Sequence, residues 1–343
     1  MRKMRKTIAI VLACMLLAAL MASCNNDTTN SGSQNTSSAQ NGSTSSTGES
    51  TPAGGSTPAA TGGSTPATNS APAPAPAGGG ASDAPATNFD TSRIIAVYTR
   101  EEGSGTRDAF VSLTGVGEDM YIEAIVNNET NQILTNVETN DNAIGYVSVG
   151  SINPSVKALS LNGVTPSNAT ITDGSYTLQR PFVICATEDS MSNPLVADFI
   201  SFILSAEGQE IAATKWTAVR HNASPYTSGG LAGTLKVGGS TSVEPMMQVL
   251  SQAYRVHNPN IVIEISGGGS GTGISEATSG VLDIGMSSRA LRDNEREALT
   301  GIDIALDGVA VIVNPANPLS DITIEQIKDI FTGEVTRWNQ VTG

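Results

Sequence analysis

From residue 94 onward, short apolar runs alternate with segments whose apolar positions recur at helical spacing. Ile94 to Tyr98 (IIAVY) predicts a short buried strand, followed by a loop and a helix from about Arg107 to Leu113. Ala143 to Val149 and Pro181 to Ala186 predict two further strands. Between Pro194 and Leu204, residues Leu195, Val196, Phe199, Ile200 and Ile203 share one helical face, and Glu207 to Ala213 continues it. Thr234 to Gly238 predicts a strand, and Val243, Met246, Met247, Leu250 and Tyr254 mark the buried face of a helix. Ile261 to Ile265, Leu282 to Met286 and Val309 to Val313 predict three more strands, and Ile324 to Phe331 a short helix. Strands alternating with helices predict an α/β architecture with mainly parallel sheets.

Before residue 89 the pattern is different. Residues 25–88 are Ser, Thr, Gly, Pro, Ala and Asn with almost no large apolar side chain, and the triplets GSTPA and PAPAPA recur. Such a stretch cannot bury enough apolar surface to offset its ordering entropy, so it is expected to be a disordered tether. Its roughly 64 residues would span about 45 Å end to end. Ahead of it, Arg2, Lys3, Arg5 and Lys6 precede an apolar run from Ile8 to Met21 and the small residues Ala22 and Ser23. This is the layout of a secretory signal, and the run is short for a membrane span. The sequence LMASC at 20–24 resembles the lipobox of bacterial lipoproteins, which implies a lipidated Cys24 as the first mature residue. The expected division is therefore 1–23 signal, 24–88 anchor and linker, and 89–343 folded domain.

Removing the four basic residues of the signal leaves 14 Lys and Arg against 32 Asp and Glu, a net charge near −18. An acidic chain with 4% aromatic residues is a poor nucleic-acid binder. Of the three cysteines, Cys14 leaves with the signal, Cys24 is the anchor, and Cys185 stands alone in the apolar run PFVICA. No disulfide framework and no metal-ligand spacing follows from these positions, and no cofactor is expected. The two histidines, His221 and His257, lie away from the loops described next, so an enzyme is not expected.

Three strand-to-helix junctions carry the same residue types: GSGT at 103–106, GGSTS at 238–242 and GGGSGTG at 267–273. Glycine lets a ligand approach the backbone, Ser and Thr supply hydroxyls, and a helix N-terminus offers unpaired N–H groups with partial positive charge. A Ser or Thr ahead of a helix is also a plain N-cap. Three such ends converging would surround an oxyanion with neutral donors, and Arg100 would add a forked positive charge. None of the loops matches a nucleotide signature: GxxxxGK[ST] is absent, and Thr272 breaks GxGxxG.

The segments GGSTSVEP, GGGSGTGI, DIGMSSR, ALDGVAVIVNP, EQIKDIFTGEVTRW, REEGSGTRDAF, AIGYVSVG, RPF and FILSAEGQEI resemble the PstS-type phosphate-binding proteins of bacterial phosphate ABC transporters. The resemblance covers nearly all of residues 93–343. It implies a two-lobed periplasmic-binding-protein (type II) fold with the anion clamped between lobes. Carried over by motif, it implies phosphate contacts from Thr241, Ser242, Ser270, Arg100, Ser104, Gly105 and Thr106, with Ser240 and Arg107 as further candidates. Ser288 stands where many members have an Asp that accepts the phosphate proton. Asp307 and Glu102 are then candidates for that acceptor, although Asp307 could be a turn residue and Glu102 a salt-bridge partner of Arg100. Arg107 could likewise pair with a neighbouring carboxylate.

In the resembled family the Gly/Ser loops and TGEVTRW precede REEGSGTRDAF, and FILSAEGQEI ends the chain; here the halves are exchanged. A circular permutation is expected, with 217–233 bridging the family's ordinary termini, a truncated tandem being the alternative. It would make lobe A nearly continuous, about 156–310, and split lobe B into about 90–155 and 311–343. The expected protein is a monomeric, lipid-anchored receptor on the outer face of the cytoplasmic membrane, passing inorganic phosphate to a permease. Another oxyanion such as sulfate is the alternative ligand.

Overall fold

The computed structural model describes residues 89–341; the expected signal, Cys24 and the linker lie outside the described residues. In chain order, the first part of lobe B comprises β1 (Ala96–Arg100), α1 (Gly105–Thr114), β2 (Ile125–Asn127), α2 (Thr130–Thr139), β3 (Ala143–Ser148), β4 (Lys157–Ala158), β5 (Ser160–Leu161) and α3 (Asn168–Thr172). Lobe A follows with β6 (Gln179–Ala186), α4 (Glu188–Ser192), α5 (Pro194–Ile203), α6 (Ala206–Ala213), β7 (Thr217–Ala218), β8 (Gly233–Gly239), α7 (Glu244–His257), β9 (Ile261–Gly267), α8 (Ser270–Thr278), β10 (Ile284–Ser287) and α9 (Asp293–Arg296). The long β11 (Thr300–Val313) returns the chain to lobe B, which closes with β12 (Asp321–Ile322), α10 (Ile324–Thr332) and α11 (Trp338–Val341).

The main strands form one path, β2-β1-β3-β11-β6-β10-β8-β9. Its register explains the two lobes. Residues Thr300 to Gly308 of β11 pair with β6, whereas Val309 to Val313 pair with β3. One strand thus serves both halves. The sheet is mixed rather than mainly parallel: β1 with β2 and β3, and β8 with β9 and β10, run parallel, but every contact of β6 and β11 is antiparallel. The extent of β11 also exceeds the expected Val309 to Val313, because TGIDIALDG interleaves polar residues and Gly with its apolar positions.

Each lobe buries both faces of its strands, which is why β3 and the core of β6 read as unbroken apolar runs. In lobe A, α5 and α7 pack Val196, Phe199, Met246, Met247 and Leu250 against Leu235, Val237 and Ile284. On the opposite face, Ile274 and Ala277 of α8 meet Val183 and Cys185. Cys185 is accordingly buried, and burial pushes its thiol up to about 12. In lobe B, Phe110 of α1 and Ile327, Ile330 and Phe331 of α10 cover one face, while Ile133, Leu134 and Val137 of α2 cover the other.

The lobe boundary falls later than the sequence suggested. Leu159, Leu161, Ile171, Tyr176 and Leu178 pack with Val309, Val311 and Phe331, so the stretch from 156 to 178 belongs to lobe B rather than lobe A. The crossing therefore lies at Arg180 and Asp307, which face each other across β6 and β11. Asp307 accepts from Arg180 Nε and an NH2 nitrogen at 3.1 and 3.0 Å, from the Ser148 hydroxyl at 2.8 Å and from the Gly150 amide at 3.4 Å. Arg180 also lies 5.4 Å over the Phe182 ring. Burial pushes the Asp307 carboxyl up and the Arg180 cation pulls it back down.

The segment from 219 to 232 is tied to lobe A. Gln209 Oε1 accepts from the amides of Val219 and Arg220, and the hydroxyls of Tyr226 and Tyr254 both donate to Asp198 Oδ2 at 2.6 Å. The two ends of the folded part meet as well: Ile94 bridges Arg337, and the Asn339 amide donates to the Thr91 carbonyl at 2.7 Å.

Breaking the Arg180–Asp307 pair from one side leaves a buried, uncompensated charge. Asp307→Asn should therefore cost about 3–5 kcal/mol of unfolding free energy by denaturant titration, and Arg180→Met combined with Asp307→Leu should cost less than the single change.

Candidate functional site

The three Gly/Ser junctions meet where the lobes face each other. On the lobe A side, the turn after β8 carries Ser240, Thr241 and Ser242, all buried. Gly239 there has φ +130°, and a Cβ at this position would lie 2.9 Å from the Cα of Gly273, so only glycine lets the 238–242 and 267–273 loops cross. Gly239 is crossed from both sides: its carbonyl accepts from the amides of Gly268 and Gly269. Ser270, the first residue of α8, accepts from the Ser288 amide at 3.1 Å, and their hydroxyls lie 3.4 Å apart.

On the lobe B side, Ser104 caps α1, its side chain accepting from the Arg107 amide. The lobes touch directly through these groups. Thr106 and Ser242 share a hydroxyl hydrogen bond of 2.8 Å, and the Gly271 amide donates to the Gly103 carbonyl at 2.9 Å. A Cβ on Gly105 would fall inside the envelope of the Ser270 hydroxyl and 2.8 Å from that of Ser288. The three hydroxyl clusters and the start of α1 thus surround one place.

Arg100 supplies the positive charge there and is 2% exposed. It donates to Thr241 Oγ1 from one NH2 nitrogen at 3.2 Å and to Thr130 Oγ1 from the other at 3.3 Å. Its backbone amide donates to the Tyr146 hydroxyl at 3.1 Å, which also bonds Thr99 Oγ1 at 2.8 Å. Tyr146 is itself fixed by stacking on Phe110, with centroids 3.9 Å apart. Burial pushes the Tyr146 phenol up, keeping it a neutral prop for the arginine.

Two participants were not foreseen in the sequence. Glu101 binds the Arg100 fork, accepting from Nε and NH2 at 2.8 Å each. The next residue, Glu102, a candidate acceptor or salt-bridge partner of Arg100, is instead exposed and lines a surface hollow with Arg107 and Asp108. Strand alternation would put Arg100 and Glu102 on one side, but β1 ends at Arg100 and the chain turns at 102–103, the Ser104 amide donating to the Glu101 carbonyl, so Glu101 is the carboxylate that reaches the fork. Thr130 is the second: its hydroxyl lies 3.2 Å from Thr241 Oγ1 and 3.4 Å from Ser242 Oγ, and it opens α2, bringing a fourth helix N-terminus to the place. The apolar spacing Ile133, Leu134, Val137 was the signal for that helix.

Other candidates stand elsewhere. Asp307 is committed to Arg180, Ser148 and Gly150 and is not the acceptor facing the hydroxyls. The Arg107 guanidinium makes no ion pair among the described residues, and its Nε is buried without a hydrogen-bond partner. The backbone supply is also smaller than three open helix ends would give, because the amides of Gly268, Gly269 and Gly271 are taken by carbonyls. His257 packs on Tyr226 and Phe202, and His221 lines a surface cavity with Arg220. No cluster of three or more His, Cys, Asp or Glu suited to a metal occurs among the described residues.

Comparison with known proteins gives the family. The pattern of the PBP superfamily domain matches residues 83–207 and 224–343. The phosphate-binding protein PstS 2 of Streptococcus pneumoniae is 42% identical over 265 residues, covering 75% of this chain and 90% of that protein. The chain belongs to the PstS-type phosphate-binding protein family. The family's Streptococcus agalactiae PstS 2 is 39% identical over 258 residues, with 72% of this chain and 88% of that protein covered. The crystal structure of a phosphate ABC transporter phosphate-binding protein from Streptococcus pneumoniae is 41% identical, with a TM-score of 0.60 over 73% of this chain and 100% of that one. That membership carries the two-lobed fold seen here.

A side chain at Gly105 would have to displace the Ser270 and Ser288 hydroxyls that meet it across the lobe contact. Gly105→Ala should leave the melting temperature within about 4 °C of wild type, since neither core is touched. It should abolish the closed form, read as a larger radius of gyration in small-angle scattering that added oxyanion does not reduce.

Proposed function

We propose that this chain is the extracytoplasmic receptor of a phosphate ABC transporter, capturing inorganic phosphate between its lobes and delivering it to the permease. The observation that carries the reading is the convergence of Arg100, Thr241, Ser242, Ser270, Ser288 and the Gly105–Thr106 end of α1 across one cleft. Phosphate offers four oxygens, each able to accept several hydrogen bonds. Hydroxyls and helix N-terminal amides match those acceptors without adding charge, and the Arg100 guanidinium balances part of the dianion. The relatives are receptors rather than catalysts, and the cleft offers donors rather than a nucleophile with its base.

Thr241, Ser242 and Ser270 are assigned as ligands from lobe A, and Arg100, Ser104, Gly105 and Thr106 from lobe B. Thr130 and Ser240 sit close enough to support them, Thr130 through Thr241 and Ser240 through the Ser242 amide at 3.3 Å. The sequence LMASC supports lipidation at Cys24 and hence a receptor held on the outer face of the membrane. The contact between residues 91–95 and 336–339, together with the anchored 219–232 segment, supports reading the chain order as a circular permutation of the family order.

One observation favours a broader anion range. Ser288 occupies the acceptor's place, Asp307 is engaged elsewhere and Glu102 is exposed, so the carboxylate in contact with the cleft arginine is Glu101, whose two oxygens both accept from it. A carboxylate acceptor repels fully ionised sulfate and accepts a hydrogen bond from the O–H of hydrogen phosphate, whereas a serine hydroxyl does not impose that penalty.

Isothermal calorimetry at neutral pH should give one phosphate per chain, and Arg100→Met should weaken it about a hundredfold through loss of a charge-assisted fork. Absence of heat with the wild-type chain would refute the reading. In competition experiments Ser288→Asp should weaken sulfate at least about tenfold while phosphate is retained.

A further inference from the structure

Beyond the anion-facing groups, a second set of charges spans the cleft. Asp108, in the first turn of α1 on lobe B, accepts from Arg289 Nε at 2.9 Å and from an Arg292 NH2 nitrogen at 2.7 Å, both on lobe A. Arg289 is held in place by its own lobe: its two terminal nitrogens each donate to a Glu295 oxygen at 2.7 Å, and one also donates to the Ala290 carbonyl at 2.9 Å. Its backbone amide is fixed as well, donating to the Ser287 hydroxyl at 3.3 Å. The cation is thus preset in lobe A, and among the described residues the partner it takes from lobe B is Asp108.

These charges are joined covalently to the anion-facing residues. Arg289 directly follows Ser288, and Asp108 stands two residues after Thr106 on the same helical turn. A rigid turn cannot bring Gly105 and Thr106 against Ser270 and Ser242 without bringing Asp108 to Arg289. Closure around a ligand and formation of the ion pairs are therefore one movement, and each favours the other.

We propose that Asp108 and Arg289, with Arg292, form a latch across the cleft that sets how slowly the captured anion leaves. The latch acts through closure and touches no ligand; it rests on the receptor reading given above. Because the ligand enters the open form, in which the pairs are absent, the latch acts on dissociation and leaves association nearly unchanged. Arg292 is well exposed, so its share is small and screened by salt, whereas the Asp108–Arg289 contact is largely shielded.

The test is stopped-flow measurement of inorganic phosphate association and release by the full chain, at about 20 mM and 500 mM NaCl. For Asp108→Asn the account expects release about tenfold faster, association within about twofold of wild type, and a release rate that no longer rises with salt. Asp108→Glu should restore most of the slow release, and Arg292→Gln should change release by about twofold or less. Arg289 keeps Glu295 in the Asn variant, so no naked charge is created, and an unchanged melting curve should accompany the faster release. Wild-type release rates in Asp108→Asn, or equal slowing of association and release, would overturn the latch while leaving the receptor reading intact. Failure of the wild-type chain to bind phosphate would overturn both.

Discussion

The contact that the rest of the cleft depends on is the approach of the 103–106 backbone to Ser270 and Ser288. Two independently cored lobes bring these hydroxyls together in this way with no Cβ on Gly105, where one would fall inside the envelope of the Ser270 hydroxyl and 2.8 Å from that of Ser288. The crossing of the 238–242 and 267–273 loops at Gly239 imposes the same demand within lobe A. Both are steric conditions, and they explain why the junctions are built from Gly, Ser and Thr. Larger polar residues would supply donors, but they would keep the lobes apart.

Charge is used sparingly around that point. Arg100 is one cation whose fork is shared between Glu101 and two threonine hydroxyls. A second buried cation, Arg180, is neutralised by Asp307 at the strand crossing, where the pair also marks the passage from one core to the other. Because β11 runs unbroken through both lobes, the crossing is a continuous ladder, and the Ser148 and Gly150 contacts tie that ladder to β3 and the turn after it. The remaining interlobe charges, around Asp108, lie outside the hydroxyl cluster. The hydroxyl cluster with Arg100 and the interlobe ion pairs around Asp108 thus occupy separate places along the cleft.

Much of this was legible in the sequence. The strands at 143–148 and 179–186, the helices at 194–203 and 244–257, and the three Gly/Ser junctions follow from apolar spacing and glycine placement. The residues brought together at the cleft include those the motifs indicated, from Arg100 and Thr106 to Ser242, Ser270 and Ser288. What escaped depended on tertiary context. Whether Glu101 or Glu102 faces Arg100 is decided by the turn that ends β1, which breaks the strand alternation, and Thr130 reaches the place because α2 packs against β3. The lobe boundary was misplaced because residues 156–178 are short strands and a single helical turn, whose side follows from the partner they pair with rather than from periodicity. Asp307 read as a turn or site residue because TGIDIALDG hides the strand that places it opposite Arg180.

The central claim is that one tetrahedral oxyanion is held jointly by both lobes at this point. Crystals of residues 89–343 grown with phosphate test it most directly. Tetrahedral density is expected within hydrogen-bond distance of the Arg100 guanidinium, the hydroxyls of Thr241, Ser242 and Ser270, and the amides of Gly105 and Thr106. Density bound to one lobe alone, or located away from Arg100 and Ser270, would contradict it.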